Sequence, residues 1–103
     1  MRLLRTVTAV FGALALAVAM PASAHAATGT FSYVSPESGG LDITNPTNGE
    51  CRLLLQGAIS AVNGTNTTAT LFTDRGCEQR QTTMVPGDQR AFGEPIPRSV
   101  RFN

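Results

Sequence analysis

The 103-residue chain contains no tryptophan, and all eight of its basic side chains are arginine, so lysine is absent as well. It has one histidine, one tyrosine and two cysteines. Each shortage narrows the chemistry. Without lysine the Gly39-Gly40 pair cannot belong to a phosphate-binding loop, whose spacing is also missing. The single histidine, His25, lies so near the N-terminus that trimming there removes the base that nucleophile-plus-histidine hydrolysis needs. Two cysteines without histidine cannot assemble the four ligands of a structural zinc site, so no metal site is expected.

What is present begins with an export leader. Arg2 and Arg5 open the chain, an apolar run extends from Val7 to Met20, and Pro21 precedes the small residues Ala22, Ser23 and Ala24. This is the charged, apolar and cleavable layout of a secretory signal peptide. The run is shorter than the ~20 apolar residues of a bilayer-spanning helix. Cleavage after Ala24 or after Ala26 satisfies the small-x-small rule, and the second is favoured. Residues 1–26 are thus read as leader and 27–103 as one small β domain, secreted and extracellular. From Ala27 onward six arginines face seven acids, a net charge of −1, where the whole chain carries +1. A near-neutral surface offers no electrostatic basis for binding nucleic acid, or a membrane once the leader is gone.

A domain this small buries only about 60% of the surface of its unfolded chain. Exported domains of that size often add disulfides. Cys51 and Cys77 have no neighbouring histidine to lower a thiol pKa, which disfavours a catalytic thiol. A Cys51–Cys77 bridge is therefore expected, with free or intermolecularly paired thiols as the alternative. In the chain-entropy model closing this loop is worth about 3.5 kcal/mol.

Between the cysteines, Asn63-Gly64 is a hairpin-turn signal, and Cys51 and Cys77 lie equally far on either side of Gly64. A hairpin centred there sets the cysteines opposite one another, at the ~4.5–5.5 Å separation of paired α-carbons. Its inward face would hold Leu53, Leu55, Ile59, Ala61, Ala69 and Leu71. Leu54, Ala58, Val62 and Phe72 are exceptions on the polar face, and Gln56-Gly57 is a candidate bulge. A short helix through Leu55, Ile59 and Val62, capped at Asn63-Gly64, is the competing reading.

The remaining segments read as short strands between turns: GTFSYV, LDIT, QRQTTMV, QRAF and SVRF, separated by SPESGG, NPTNGE, PGD and GEPIP. Eleven threonines after Ala26 favour strands over helices. The expected fold is all-β: a small antiparallel sandwich or a partly open barrel, with Greek-key connection admitted, held by one disulfide.

Candidate sites are few. Glu37, Asp42, Glu50, Asp74, Glu78, Asp88 and Glu94 are scattered singly; solvated acids are favoured over a glycosidase-like carboxylate pair, so no catalytic residues, no enzyme and no cofactor are expected. Asn63 and Asn66 begin glycosylation acceptor patterns within the presumed turn. The segment AFGEPIP is the candidate binding loop, with Phe92, Glu94, Pro95 and Ile96 as its contact residues; the alternative is that Phe92 and Ile96 fill the core edge.

The stretch FTDRGCEQ, together with the closing RSVRF, resembles the Greek-key motif of the βγ-crystallin fold. That motif runs aromatic, four residues, aromatic, one residue, glycine. Phe72 takes the first position, while Cys77 and Gln79 replace the second aromatic and the glycine. The family's calcium-binding loop has no match here. The resemblance implies a small secreted bacterial β domain; proteins of that kind include metalloprotease inhibitors and killer-toxin-like proteins. Two functions follow as expectations: binding of an extracellular protein or polysaccharide, and, as the alternative, inhibition of an extracellular protease.

Overall fold

The computed structural model describes residues 25–103. The expected leader lies outside the described residues except for His25 and Ala26. These two add backbone contacts to the fold, the Asn48 N–H donating to the His25 carbonyl at 3.0 Å and Ala26 bridging Thr47. Only cleavage after Ala24 would retain them.

Eight strands follow: β1 Gly29–Ser35, β2 Gly39–Thr44, β3 Cys51–Leu53, β4 Ser60–Thr65, β5 Ala69–Phe72, β6 Arg80–Met84, β7 Gln89–Ala91 and β8 Ser99–Phe102. They form two four-stranded antiparallel sheets, β2-β1-β4-β7 (sheet I) and β3-β8-β5-β6 (sheet II). The two chain halves are arranged alike. Each places its first, second and fourth strands in one sheet and its third in the other, so β3 edges sheet II and β7 edges sheet I.

Strand alternation builds the core. Phe31, Tyr33 and Ile43 point inward from sheet I, and Leu71, Met84, Val100 and Phe102 from sheet II. Phe31 and Phe102 meet edge to face with centroids 5.4 Å apart, an arrangement worth about 1 kcal/mol beyond area burial. The all-β sandwich with one disulfide is as expected, and the five strand segments read from the sequence each supply a strand.

The hairpin about Gly64 does not form. β4 pairs with β1 and β7, whereas β5 pairs with β8 and β6, so the two presumed arms lie in different sheets. Asn63-Gly64 is strand, not turn. The Asn63 side chain is fully buried; its Nδ2 donates to the carbonyls of Thr67 (2.9 Å) and Met84 (2.8 Å), and its Oδ1 accepts from the Thr65 N–H and hydroxyl. This buried amide ties β4 to the end of β6 across the sandwich. Gly64 lies where an added Cβ would sit 2.6 Å from the Thr30 carbonyl oxygen. Glycine is thus required by close strand approach, not by a turn. The chain changes sheets at Asn66–Thr68.

The face assignment before β4 also fails. Leu53, Leu55 and Ile59 are 51%, 47% and 41% exposed, while Leu54 and Ala58 are buried. Residues 54–59 form no strand and no helix. Gln56 (φ 60°) and Gly57 (φ 84°) reverse the chain between sheets. Burial of Asn63 likewise removes one of the two presumed glycosylation positions from the surface, leaving Asn66 exposed.

Candidate functional site

The two outer faces of the sandwich differ. On sheet II, Phe72 and Ser99 point outward from β5 and β8, yet are 3% and 0% exposed. They are covered because the β5–β6 connection, Thr73–Gln79, folds back over the sheet. Three devices hold it there. Cys77 bonds to Cys51 on edge strand β3, with an S–S length of 2.06 Å and α-carbons 5.9 Å apart. The bridge is the one expected, although it joins a folded-back loop to a sheet edge and not two arms of a hairpin. The Ser99 hydroxyl donates to the Asp74 carbonyl (2.6 Å) and accepts from the Cys77 N–H (3.1 Å). The Asp74 carboxylate accepts from the N–H groups of Gln79 (2.8 Å), Glu78 (3.0 Å) and Gly76 (3.0 Å). Beside the loop, Arg101 of β8 lies over the Phe72 ring of β5, 5.2 Å from its centroid.

These bonds set the charge state of Asp74. The Gln79 N–H, then those of Glu78 and Gly76, stabilise the carboxylate and hold its pKa below the ordinary 3.8, with slight burial opposing them.

Sheet I has no such cover. Its β1–β2 connection, Pro36–Ser38, is a tight turn and does not fold back. The outer face therefore forms an open groove of about 510 Å³, lined among others by Ser32, Val34, Asp42, Ser60, Val62 and Gln89. Register aligns them in cross-strand rows: Asp42, Ser32, Val62 and Gln89 form one, and Val34, Ser60 and Ala91 lie in the next. Val34 and Val62 stand 37% and 39% exposed among hydroxyl, carboxylate and amide groups. That mixture suits recognition: apolar contact at the centre, polar groups fixing orientation around it.

The candidate loop divides. Phe92 is half-buried against the core, its N–H donating to the Ile59 carbonyl at 2.9 Å. Ile96 is 7% exposed, packed where a Cβ on Gly57 would come within 2.6 Å of its Cδ1. Glu94 and Pro95 remain at the surface, joined by a cis peptide bond, with the Gln81 side chain donating to the Pro95 carbonyl at 3.1 Å. The two apolar members thus fill the core edge, and the four do not form one contact surface.

The acids are also dispersed. Glu37 accepts from Gln56 (3.2 Å), Glu50 sits 3.9 Å from Arg52, and Asp88 pairs with Arg90 at 3.3 Å. Among the described residues no three of His, Cys, Asp or Glu converge as metal ligands. Sequence reading passed over the sheet I groove. Its one trace was Val62, an apolar residue on the polar side of its strand, beside outward-facing Val34. Comparison of the chain with family models, with curated proteins and with solved structures produced no match.

Proposed function

We propose that the chain is an exported, non-enzymatic, disulfide-stapled β domain that binds an extracellular protein or polysaccharide through the outer face of sheet I. The observation that carries this reading is the uncovered groove, where two valines stand exposed among hydrogen-bonding side chains, while on the opposite face the Thr73–Gln79 loop covers Phe72 and Ser99. The leader at residues 1–26 and the disulfide both suit an oxidising, extracellular setting. The reading includes a Greek-key domain of βγ-crystallin-like type. What supports it is that β4 returns beside β1 and β8 beside β5, each third strand lying on the opposite sheet.

The test is retention of a partner from the producing organism's culture fluid on immobilised oxidised protein. Val62→Trp fills the groove at an exposed position. It should leave the melting temperature unchanged and abolish retention. Retention by neither protein, or equally by both, would remove the reading.

A second reading, inhibition of an extracellular protease, draws on the Thr73–Gln79 loop, which presents exposed Arg75 between a disulfide and the Asp74 hydrogen bonds. A preorganised loop loses little entropy on docking. Incubation with a panel of secreted proteases decides it: slowing of one, reversed by Arg75→Ala, supports inhibition, and no slowing of any removes it.

A further inference from the structure

The net charge of −1 conceals a division between the sheets. Of the six arginines among the described residues, Arg52, Arg75, Arg80, Arg98 and Arg101 lie on or beside sheet II strands, accompanied by Glu50, Asp74 and Glu78. Arg90 alone belongs to sheet I, against Glu37, Asp42, Asp88 and Glu94 near it in the chain. The Asp74 carboxylate is turned to backbone N–H groups of its own loop and not to an arginine.

Two of the arginines are brought together by strand geometry. The β5–β6 register shifts between Leu71 and Phe72, so that Arg80, and not Gln81, stands opposite Phe72. A bulge of this kind re-aims a side chain. Phe72 faces outward, so its partner Arg80 is placed on the outer face. From the other side Arg101, opposite Thr70 on β8, lies over the same Phe72 ring. Arg101 therefore lies over the Phe72 ring, and Arg80 takes the strand position opposite Phe72 on the other side. The ion pairs among the described residues involve Arg52 and Arg90; neither Arg80 nor Arg101 has a carboxylate within 4 Å, Glu78 of the covering loop included. Thr70 and Thr83 occupy the adjoining row on the same face and add hydroxyl donors.

From this we infer that the Arg80–Phe72–Arg101 surface of sheet II is a second binding site, separate from the sheet I groove, that takes the sulfate or phosphate ester groups of an anionic polysaccharide. Two like charges kept side by side repel each other until an anion joins them. A guanidinium offers paired N–H donors to two oxygens of one group. A carboxylate has only two oxygens and satisfies one arginine; a sulfate or phosphate ester has three free oxygens to share between two. The polymer's anionic groups must be well spaced. Nucleic acid binding relies on several phosphate contacts at once, and the acidic sheet I half opposes a broad polyanionic surface.

The test uses the oxidised full domain and three probes: dextran sulfate of low ester content, uncharged dextran, and vesicles of phosphatidylglycerol. Dextran sulfate should bind, with affinity falling as salt rises, while dextran and vesicles should not. Arg80→Gln, at an exposed position, should weaken binding at least fivefold, and Arg80→Gln with Arg101→Gln at least twentyfold. Arg52→Gln, whose arginine is paired with Glu50, should change it less than twofold. Val62→Trp should leave it intact, which separates this site from the groove. Thermal melts of each variant check folding, and Arg80→Gln keeps the inference testable if Arg101→Gln disturbs Phe72. Absence of dextran sulfate binding, equal losses at Arg52 and Arg80, or binding to the vesicles would each overturn it.

Discussion

The outer faces of the two sheets began as equivalents and ended differently. Both sheets come from the same pattern of strand exchange, yet sheet II is roofed by its own chain and sheet I is bare. The difference resides in the connection between the first two strands of each half. Pro36–Ser38 turns tightly, whereas Thr73–Gln79 is long enough to fold back and carries what is needed to stay there: a cysteine, an aspartate whose carboxylate takes three backbone N–H groups, and a facing serine. The loop conceals Phe72 and Ser99 on one face, while Val34 and Val62 stay exposed on the other. One small sandwich thus has one face crossed by a fastened loop and one left open.

The comparison is most strongly broken by removing the bridge. Cys51→Ser with Cys77→Ser should lower stability by about 3.5 kcal/mol on the chain-entropy model. For a domain of this size that corresponds to a fall of roughly 15–25 °C in melting temperature, read by circular dichroism. A fall of a few degrees would mean that the roof does not depend on the disulfide. Ser99→Ala should cost less, about 1–2 kcal/mol, because it leaves the buried Cys77 N–H without its acceptor. Faster amide exchange should then appear at Thr73–Gln79 and not in β1, β2 or β4. Spread of the effect to sheet I would show that the faces are not independent.

The smallest effect is set by pH. The Asp74 carboxyl is held below its ordinary 3.8 by the N–H groups of Gln79, Glu78 and Gly76. A carboxylate with a depressed folded pKa contributes stability that is present above the unfolded value and lost as pH falls through the folded one. Exchange protection of the Gly76, Glu78 and Gln79 amides should therefore hold at neutral pH, begin to weaken near pH 3.8 and decline below it. Asp74→Asn should make that protection insensitive to pH in this range. An unchanged acid profile in the variant would assign the loop's order to the disulfide and Ser99 alone.

How far the sequence could be read depended on the range of the forces involved. Alternation in GTFSYV and SVRF reports a strand with one buried face, and β1 and β8 are strands of that kind. The bridge could be inferred because the chain offers its two sulfurs no other chemistry. Asn63-Gly64 misled because the pair has two uses. In isolation it favours a turn, but here the amide saturates its hydrogen bonds with Met84 and Thr67 in the interior and the glycine admits Thr30 at close range. Those partners lie beyond any local window. The groove was equally hidden, since Ser32, Asp42, Val62 and Gln89 come from four strands and align only through register. AFGEPIP looked exposed because prolines mark loops, and a local pattern does not tell that Ile96 packs beside Gly57.

Composition and short-range pattern alone determined that this chain is built of strands, that its sulfurs pair, and that it has no lysine and a single histidine at the N-terminal edge of the domain, because each follows from residues and their immediate neighbours. Which sheet each strand joins, which face is roofed and which arginine lies over the Phe72 ring were decided only by the tertiary structure. Strand pairing and hydrogen-bond saturation compare distant partners, and those partners meet only once the two sheets have closed on a common core.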